Sequence, residues 1–350
     1  MAVRVAINGL GRIGRCFLRA VYSEQSRGAG DSTLDIVAIN DIGNIENLAY
    51  LLAHDSVYHA APFSVEVQNG KLVLNGKEIT CMSEREPSKL PWKDLHIDIV
   101  VESTGMFDRF DMAGAHITAG AKRVVISAPV KDEGGATVLM GVNEEKLKTT
   151  TISSNASCTT NSASPVIAIL DEKLGIEKAV LNTIHSYTAT QSIVDSPVRG
   201  EDFRRGRAAA QNMSPSSTGA ATAVTKAYEK LAGRFDGIAV RVPVICGSLA
   251  DITFIAKRDT SAEEVNQILK AAAAEARGQG IFAVTEEPLV SSDIIGRPEG
   301  SIADLGLTRV VGGNLVKVMA WYDNEMGYAH TLLRHVKEAG KYLPTGRQVS

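Results

Sequence analysis

The chain begins with a short β-branched run, residues 3–7, that breaks into Gly9-Leu10-Gly11-Arg12-Ile13-Gly14 and then into helical spacing of Ile13, Phe17, Leu18 and Val21. A strand, a glycine loop and a helix in that order leave few folds open, because glycine spacing of this kind belongs to the first turn of a dinucleotide-binding sheet. The glycines let the backbone approach a pyrophosphate, and the helix N-terminus attracts that anion. Glycine is common, so the spacing alone is weak; its flanking elements strengthen it. A second strand, Leu34 to Asp41, ends in an acid. Asp41 can accept hydrogen bonds from an adenosine ribose and would repel a 2′-phosphate, which favours NAD over NADP. The plainer alternative is a tight strand–helix turn with a capping aspartate.

Further elements alternate in the same way. Ser26 to Ser32 is small and polar, a surface loop, and residues 45–53 read as a short helix. Residues 63–82 read as antiparallel strands turning at Asn69-Gly70 and Asn75-Gly76. Ile97–Ser103, Arg123–Ser127 and Thr137–Gly141 are buried-strand runs, and Ala113–Ala121 fits a helix ended by Gly120. Strand–helix alternation predicts a parallel, doubly wound (Rossmann) sheet. Gly105 and Ser127 then lie at the strand ends where such sheets take ligands.

After residue 157 the texture changes. A helix is expected over 158–173, with Pro165 kinking it or marking its start. Long strands follow at 178–185, 236–244, 249–258 and 315–322. Ser261-Ala262-Glu263-Glu264 is a capping box for a helix to about Arg277, and a last amphipathic helix covers 326–341. The polar segment 186–218 is too long to be a passive connection in a compact domain. The expected class is α/β: an NAD-binding domain over 1–157, an α+β catalytic domain with a mixed or antiparallel sheet over 158–324, and a C-terminal helix over 325–350 returning to the first domain.

A length of 350 residues and 44% hydrophobic content suit two globular cores. A net charge of −3 gives no basic field for nucleic acid, so none is expected as a partner. Cys16, Cys81, Cys158 and Cys246 contain no CxxC pair, which argues against zinc or a disulfide framework and for a reducing compartment. The first residues carry no charged-then-apolar leader. No apolar run nears the roughly 18 residues a bilayer requires. A soluble cytoplasmic protein, with no metal and no membrane, is the expectation.

Cys158 lies in Ser154-Asn155-Ala156-Ser157-Cys158-Thr159-Thr160-Asn161, at the start of the expected helix. A helix N-terminus favours a thiolate, and His185, if brought beside it, could hold that thiolate and act as base. The separation of the two residues does not prove contact, and most free cysteines are simply buried. The polar setting of Cys158 argues for a nucleophile. Such a thiolate with a nicotinamide cofactor would oxidise an aldehyde through a hemithioacetal to a thioester, which phosphate can capture as an acyl phosphate. Ser157, Thr159, Thr188, Arg204, Thr218-Gly219 and Arg241 could supply phosphate contacts. The basic run Arg204, Arg205, Arg207, taken alone, reads as a solvated stretch or a subunit contact.

Several segments together resemble the phosphorylating glyceraldehyde-3-phosphate dehydrogenases from end to end. They are Ile7 to Arg15, Ser103-Thr104-Gly105, Ser127-Ala128-Pro129, Ser154–Asn161, His185–Gln191, Ser217–Ala221, Val240–Pro243 and Trp321–Glu325. The resemblance implies that Cys158 is the nucleophile and His185 its base. NAD would be held at the loop of Asn8, Gly9 and Gly11 and by Arg12, Ile13, Asp41, Arg85, Ser127 and Asn324. Thr188 and Arg241 would bind the phosphate of glyceraldehyde 3-phosphate. Ser157, Thr159, Arg204, Thr218 and Gly219 would serve inorganic phosphate. A homotetramer is implied, with 186–218 reaching a neighbour's cofactor site.

The chain departs from the family pattern at Ser162, where a second cysteine is frequent, at Val244–Ser248, at Met326 and at His330. Ser196-Pro197 keeps a proline associated with NAD, but the residue before it differs. Erythrose-4-phosphate dehydrogenase is the nearest rival; it generally lacks features such as Thr188 and Ser217-Thr218-Gly219. The semialdehyde dehydrogenase group is disfavoured by Ser-Cys-Thr-Thr-Asn. A non-catalytic NAD- or RNA-binding module would not need both Cys158 and His185.

Overall fold

The computed structural model describes residues 2–26, 33–198, 200–275 and 278–344. The loop expected over 26–32 and the helix end expected near Arg277 fall largely outside those residues. The chain divides into two compact units. One comprises Met1–Val138, Glu144–Ala156 and Leu332–Ser350, and the other Leu139–Asn143 and Ser157–Thr331.

In the first unit the elements are β1 (Val3–Asn8), α1 (Arg12–Ser26), β2 (Leu34–Asn40), α2 (Ile45–Ala53), β3 (His54–Asp55), β4 (His59–Ala60), β5 (Val65–Gln68), β6 (Lys71–Leu74), β7 (Lys77–Met82), β8 (Ile99–Glu102), α3 (Phe110–Thr118), β9 (Arg123–Ile126), β10 (Ala136–Thr137) and β11 (Ile152–Ser154). One sheet runs in the order β10-β11-β9-β8-β1-β2-β7-β6-β5. It is parallel through β7, and β5–β7 extend it as an antiparallel meander. Continuous β-branched runs such as Ile99-Val100-Val101 and Val124-Val125-Ile126 are buried throughout, as strands covered on both faces must be. Asn69-Gly70 and Asn75-Gly76 all have positive φ, the conformation of a tight two-residue hairpin turn. The sequence runs onward from β1 to β2 on one side and returns to β8 on the other. That places the switch point between β1 and β8, directly under the glycine loop.

In the second unit α4 (Cys158–Leu174) leads to β12 (Ile176–Ser186), β13 (Ser214–Ser217), α5 (Ala220–Ala227), β14 (Phe235–Val242), β15 (Ser248–Ala256), α6 (Ala262–Ala274), β16 (Phe282–Thr285), β17 (Ser301–Val311), β18 (Leu315–Tyr322) and α7 (Met326–Lys341). The sheet order is β13-β14-β12-β15-β18-β17-β16, mixed in direction. Burial alternates residue by residue along β15 and β18, so one face is packed and the other is not. The packed face carries Leu181, Ile252, Phe254, Val316 and Val318, in one core with Val166, Ile167 and Leu170 of α4, Val224 of α5, and Val265 and Leu269 of α6. Each such side chain, fully buried, contributes about 1.5–3 kcal/mol.

Three expectations need correction. Pro165 does not mark the start of α4; Ser157 does, because its hydroxyl accepts the Thr160 N–H as an N-cap. The cost of an interior proline is offset by a helix whose following residues, Val166, Ile167 and Leu170, are fully buried. The strand expected over 137–141 stops at Thr137, since Leu139 leaves the sheet and turns onto the Asn143 side chain. Ser261 caps α6 as expected, but the Glu264 carboxylate turns instead to Arg258 and Thr260, so the box is only half made.

From Leu332 onward α7 packs within the first unit. His335 Nδ1 lies 3.1 Å from Asn155 Oδ1 and its Nε2 lies 2.8 Å from Ser153 Oγ. Burial lowers His335 to about 3. The unfolded chain takes up that proton near 6.5 and the folded chain only near 3, so stability is lost as pH falls between those values. At pH 5 the loss is expected to be on the order of 2 kcal/mol from this residue. Urea midpoints at pH 7 and pH 5 should therefore converge in His335→Asn relative to the parent chain. Equal acid sensitivity in both would show that folded His335 titrates normally.

Candidate active site

In the first unit the three glycines of the loop do different work. Gly9 has φ +97°, and a Cβ there would sit 2.7 Å from Thr104 N. A Cβ on Gly14 would strike the Gly9 carbonyl, so this glycine lets α1 pack onto the loop. Gly11 faces open space within 4 Å, and it is exposed. This is the division a dinucleotide fingerprint requires: a tight turn, an open approach for the pyrophosphate, and close helix packing. Asp41 follows β2. Its Oδ2 accepts the Leu10 N–H (2.6 Å) and its Oδ1 the Gly43 N–H (2.7 Å), tying the acid to the loop. Asp41 also lines a cavity of about 210 Å³ with Ile39, Gly43, Ile45, Leu48 and Met82. These residues fit a dinucleotide with an adenosine end at Asp41.

The other expected cofactor residues are placed as follows. Asn8 is the buried last residue of β1. Half-buried Ile13 lies in the first turn of α1. Arg12 opens α1 and forms a two-pronged ion pair with the buried Asp55 carboxylate, which also accepts the Val57 and Tyr58 N–H groups. Ser127 follows β9, half-buried, with its N–H on the Glu102 carbonyl. Arg85 is exposed beyond β7.

The second unit assembles the thiol site. The backbone leaves β11, passes through Ala156 in the left-handed region (φ +54°) and enters α4 at Cys158. Antiparallel β15 and parallel β14 flank β12 and hold His185 near its end. Cys158 Sγ lies 3.4 Å from His185 Nε2. His185 Nδ1 lies 2.7 Å from the Ser186 carbonyl; in the tautomer with its hydrogen on Nδ1 the ring donates there and Nε2 accepts from the thiol. Arg241, paired with His185 across β14, places Nη1 3.0 Å from Nδ1 and donates to the same Ser186 carbonyl at 3.2 Å.

The electrostatics differ from the sequence expectation of a ready thiolate beside a cationic histidine. Burial pushes the Cys158 thiol up, with Arg241 and then Thr159 opposing. Burial first, and then Arg241, take His185 down to about 3. The resting pair is therefore a thiol on a neutral imidazole. Arg241, rather than His185, carries the positive charge that favours the thiolate. Burial is also the largest effect on Arg241, which it lowers.

Around this pair, Tyr322 stands edge-on to His185 and shares hydrogen bonds with Thr159 Oγ1 (2.9 Å) and Thr183 Oγ1 (2.7 Å). Ser157 uses its hydroxyl for the cap. Thr188 Oγ1 meets Thr190 Oγ1 at 2.9 Å. Thr218 Oγ1 accepts the Ala220 N–H, and Gly219 is the exposed N-cap of α5. Asn324 Oδ1 accepts from Ser186, Gly247 and Ser248, which leaves its amide hydrogens as the end for a further acceptor. Ser162 lies one turn below Cys158, fully buried, its hydroxyl without a hydrogen-bond partner among the described residues.

Segment 186–218 is strapped to itself by backbone bonds from Ser192 to Arg205, Ser196 to Gly206 and Ala209 to Ser192. Within it Arg204 is exposed. Its neighbour Arg205 turns inward and donates to Asp202 (2.9 Å), Ser216 (3.0 Å) and Thr190 (3.2 Å). Arg205 lines a cavity of about 610 Å³ with Thr190, Gln191, Asp202 and Ser217 and lies close enough to depress His185. In the sequence Arg205 reads as part of a solvated run, because spacing in a tight turn (Phe203–Gly206) does not show which arginine faces inward.

Comparison with known proteins bears on both units. Residues 3–109 match the family described as glyceraldehyde 3-phosphate dehydrogenase, NAD binding domain, and residues 157–324 match its C-terminal domain. NAD is the cofactor of this fold. The chain is 45% identical over 344 residues to the glyceraldehyde-3-phosphate dehydrogenase of Zymomonas mobilis, covering 98% of this chain and 100% of that one. It is 46% identical over 346 residues to that of Mycobacterium avium (98% and 100%). It is 47% identical over 331 residues to that of Thermotoga maritima (94% and 97%). The chain belongs to the glyceraldehyde-3-phosphate dehydrogenase family.

Proposed function

We propose that the chain oxidises glyceraldehyde 3-phosphate with NAD and inorganic phosphate to 1,3-bisphosphoglycerate, and that Cys158 and His185 carry the chemistry. The observation behind this reading is the 3.4 Å approach of the Cys158 sulfur to His185 Nε2, with Arg241 beside the imidazole. His185 takes the thiol proton as the sulfur adds to the aldehyde carbon, returns it to the carbonyl oxygen, and takes it again from the hemithioacetal hydroxyl as the hydride leaves. NAD, when bound, supplies the hydride acceptor. Cys158 is left as a thioester, which phosphate cleaves to an acyl phosphate and free thiol. Asn8, Gly9, Gly11, Arg12, Ile13, Asp41, Arg85, Ser127 and Asn324 would hold the cofactor.

Thr188 and Arg241 would bind the substrate phosphate, and Ser157, Thr159, Thr218 and Gly219 the attacking phosphate. Arg205, rather than Arg204, would join them, since a half-buried guanidinium lining a cavity binds an anion better than one in open solvent. The exposed apolar residues Val180 and Ile238 on the open sheet face, and Ile193, Val194, Phe203 and Met213 in 186–218, support assembly into a homotetramer. Free cysteines, and the absence among the described residues of any helix long and apolar enough to cross a membrane, support a cytoplasmic location.

The test is NADH formation from glyceraldehyde 3-phosphate with and without phosphate, with erythrose 4-phosphate in parallel. Strong phosphate-dependent turnover of the triose is expected. Arg205→Ala should raise the phosphate requirement about tenfold, and Arg204→Ala should leave it near the parent value. Preference for the tetrose, or indifference to phosphate, would overturn the assignment.

A further inference from the structure

A buried polar network in the first unit centres on Glu102 and, apart from Asn8, draws on residues not assigned so far. Four donors converge on the Glu102 carboxylate at the end of β8. Oε2 accepts from Asn8 Nδ2 (2.5 Å) and from His116 Nε2 (3.0 Å). Oε1 accepts from Thr104 N (2.8 Å) and Thr104 Oγ1 (2.5 Å). The indole N–H of fully buried Trp92 donates to His116 Nδ1 at 3.0 Å. An indole nitrogen can only donate, so Nδ1 is the accepting nitrogen and Nε2 carries the hydrogen given to Glu102. On the other side Asn8 Oδ1 accepts from Asn40 Nδ2 (2.7 Å), and Asn40 in turn bonds the Glu84 carbonyl and N–H. The chain of bonds thus crosses the C-terminal ends of β8, β1 and β2, with Glu102, Asn8, His116 and Asn40 all buried.

The location is informative. Asn8 is the residue before Gly9, and Thr104 supplies the backbone nitrogen that a Gly9 side chain would strike. Ser103 Oγ donates to the Gly9 carbonyl at 2.7 Å. Both walls of the switch point are therefore anchored to one carboxylate. A closed, fully satisfied network of this kind holds one geometry, and a donor left facing a donor inside it is costly.

We propose that Glu102 is a positioning residue for the cofactor: through Asn8 and Thr104 it sets the spacing of the glycine loop against the end of β8, with His116 and Trp92 fixing its orientation. The proposal rests on the reading of that loop as the NAD site. Glu102→Gln keeps the shape but turns one acceptor into a donor, so it must face either Asn8 and His116 or Thr104 with the wrong polarity.

The experiment is calorimetric titration of NAD into the full-length chain, with thermal midpoints and separate KM values. Glu102→Gln should raise the NAD Kd and the KM for NAD about tenfold or more. The KM for glyceraldehyde 3-phosphate and the alkylation rate of Cys158 should stay within about twofold, because they report the other unit. If Glu102→Gln does not fold, Thr104→Val, at an exposed position, removes one donor and should weaken NAD by about threefold. NAD binding as tight as the parent's in a folded Glu102→Gln, or in Thr104→Val, would overturn the proposal while leaving the loop assignment standing. Equal losses in all constants would also overturn it, by showing a general structural role. A parent chain that binds no NAD would instead sink the loop reading itself.

Discussion

Cys158→Ser is expected to lower triose oxidation by at least about 10⁴-fold, a loss of the size seen when a covalent nucleophile is removed, while NAD affinity stays within about twofold. A serine hydroxyl at this position would keep the Ser157-capped helix start and the approach to His185, since it is smaller than the thiol and also polar. What it loses is acidity and nucleophilicity. Arg241 and the first turn of α4 favour the thiolate against the burial that opposes it, but they cannot ionise an alcohol. An ester formed on serine would also be a poorer acyl donor to phosphate than a thioester. The check is a rapid-mixing experiment at saturating triose without phosphate. The parent chain should release one burst of NADH per active site and carry an acyl mass on the Cys158 peptide, and the variant should show neither. Sustained turnover by Cys158→Ser would remove the thiol from the mechanism.

The parts of this design that are local were legible in the sequence. Each glycine of Gly9-Leu10-Gly11-Arg12-Ile13-Gly14 answers to its immediate surroundings, and the Asn-Gly pairs fix their own turns. The parts assembled from distant segments were not. Nothing in the spacing of Cys158 and His185 shows that α4 and β12 bring them together. The Glu102 network draws one or two residues from each of several elements, and none of them stands out as a motif. Strand β17 does not read as a strand in the sequence, because Asp304 and Gly306 interrupt its apolar pattern. In the fold they belong to a register shift between Asp304 and Arg309, where Asp304 accepts the Trp321 indole N–H. The charge state of the site is hidden from the sequence for a related reason. A helix N-terminus predicts an acidic thiol, but burial, which the sequence does not display at a polar stretch, acts first on both Cys158 and His185.

That charge state gives the second large effect. His185→Asn is expected to reduce turnover about 10²- to 10⁴-fold, the usual worth of a positioned base. It should also slow the alkylation of Cys158 at neutral pH, because among the described residues His185 Nε2 is the group placed to take the thiol proton. The profile in the parent chain belongs to the coupled pair, so the informative comparison is with Arg241→Leu. Arg241 lowers both partners, Cys158 by favouring its thiolate and His185 by disfavouring its imidazolium. Removing it should therefore raise both. The alkylation midpoint rises and the imidazole becomes easier to protonate, so activity should now fall off on the acid side at a higher pH than in the parent. His185→Asn has no such acid limb. If the alkylation profile were unchanged in His185→Asn, the imidazole would not be the proton acceptor. If Arg241→Leu left the acid limb in place, the guanidinium would have no hold on His185, and its role would reduce to binding phosphate. The geometry, with one carbonyl at Ser186 receiving hydrogen bonds from both His185 and Arg241, places the two cations-in-waiting too close to be charged together. The arginine keeps its charge because its proton is far harder to remove, and the histidine is left neutral, which is the form a base must have before the reaction starts.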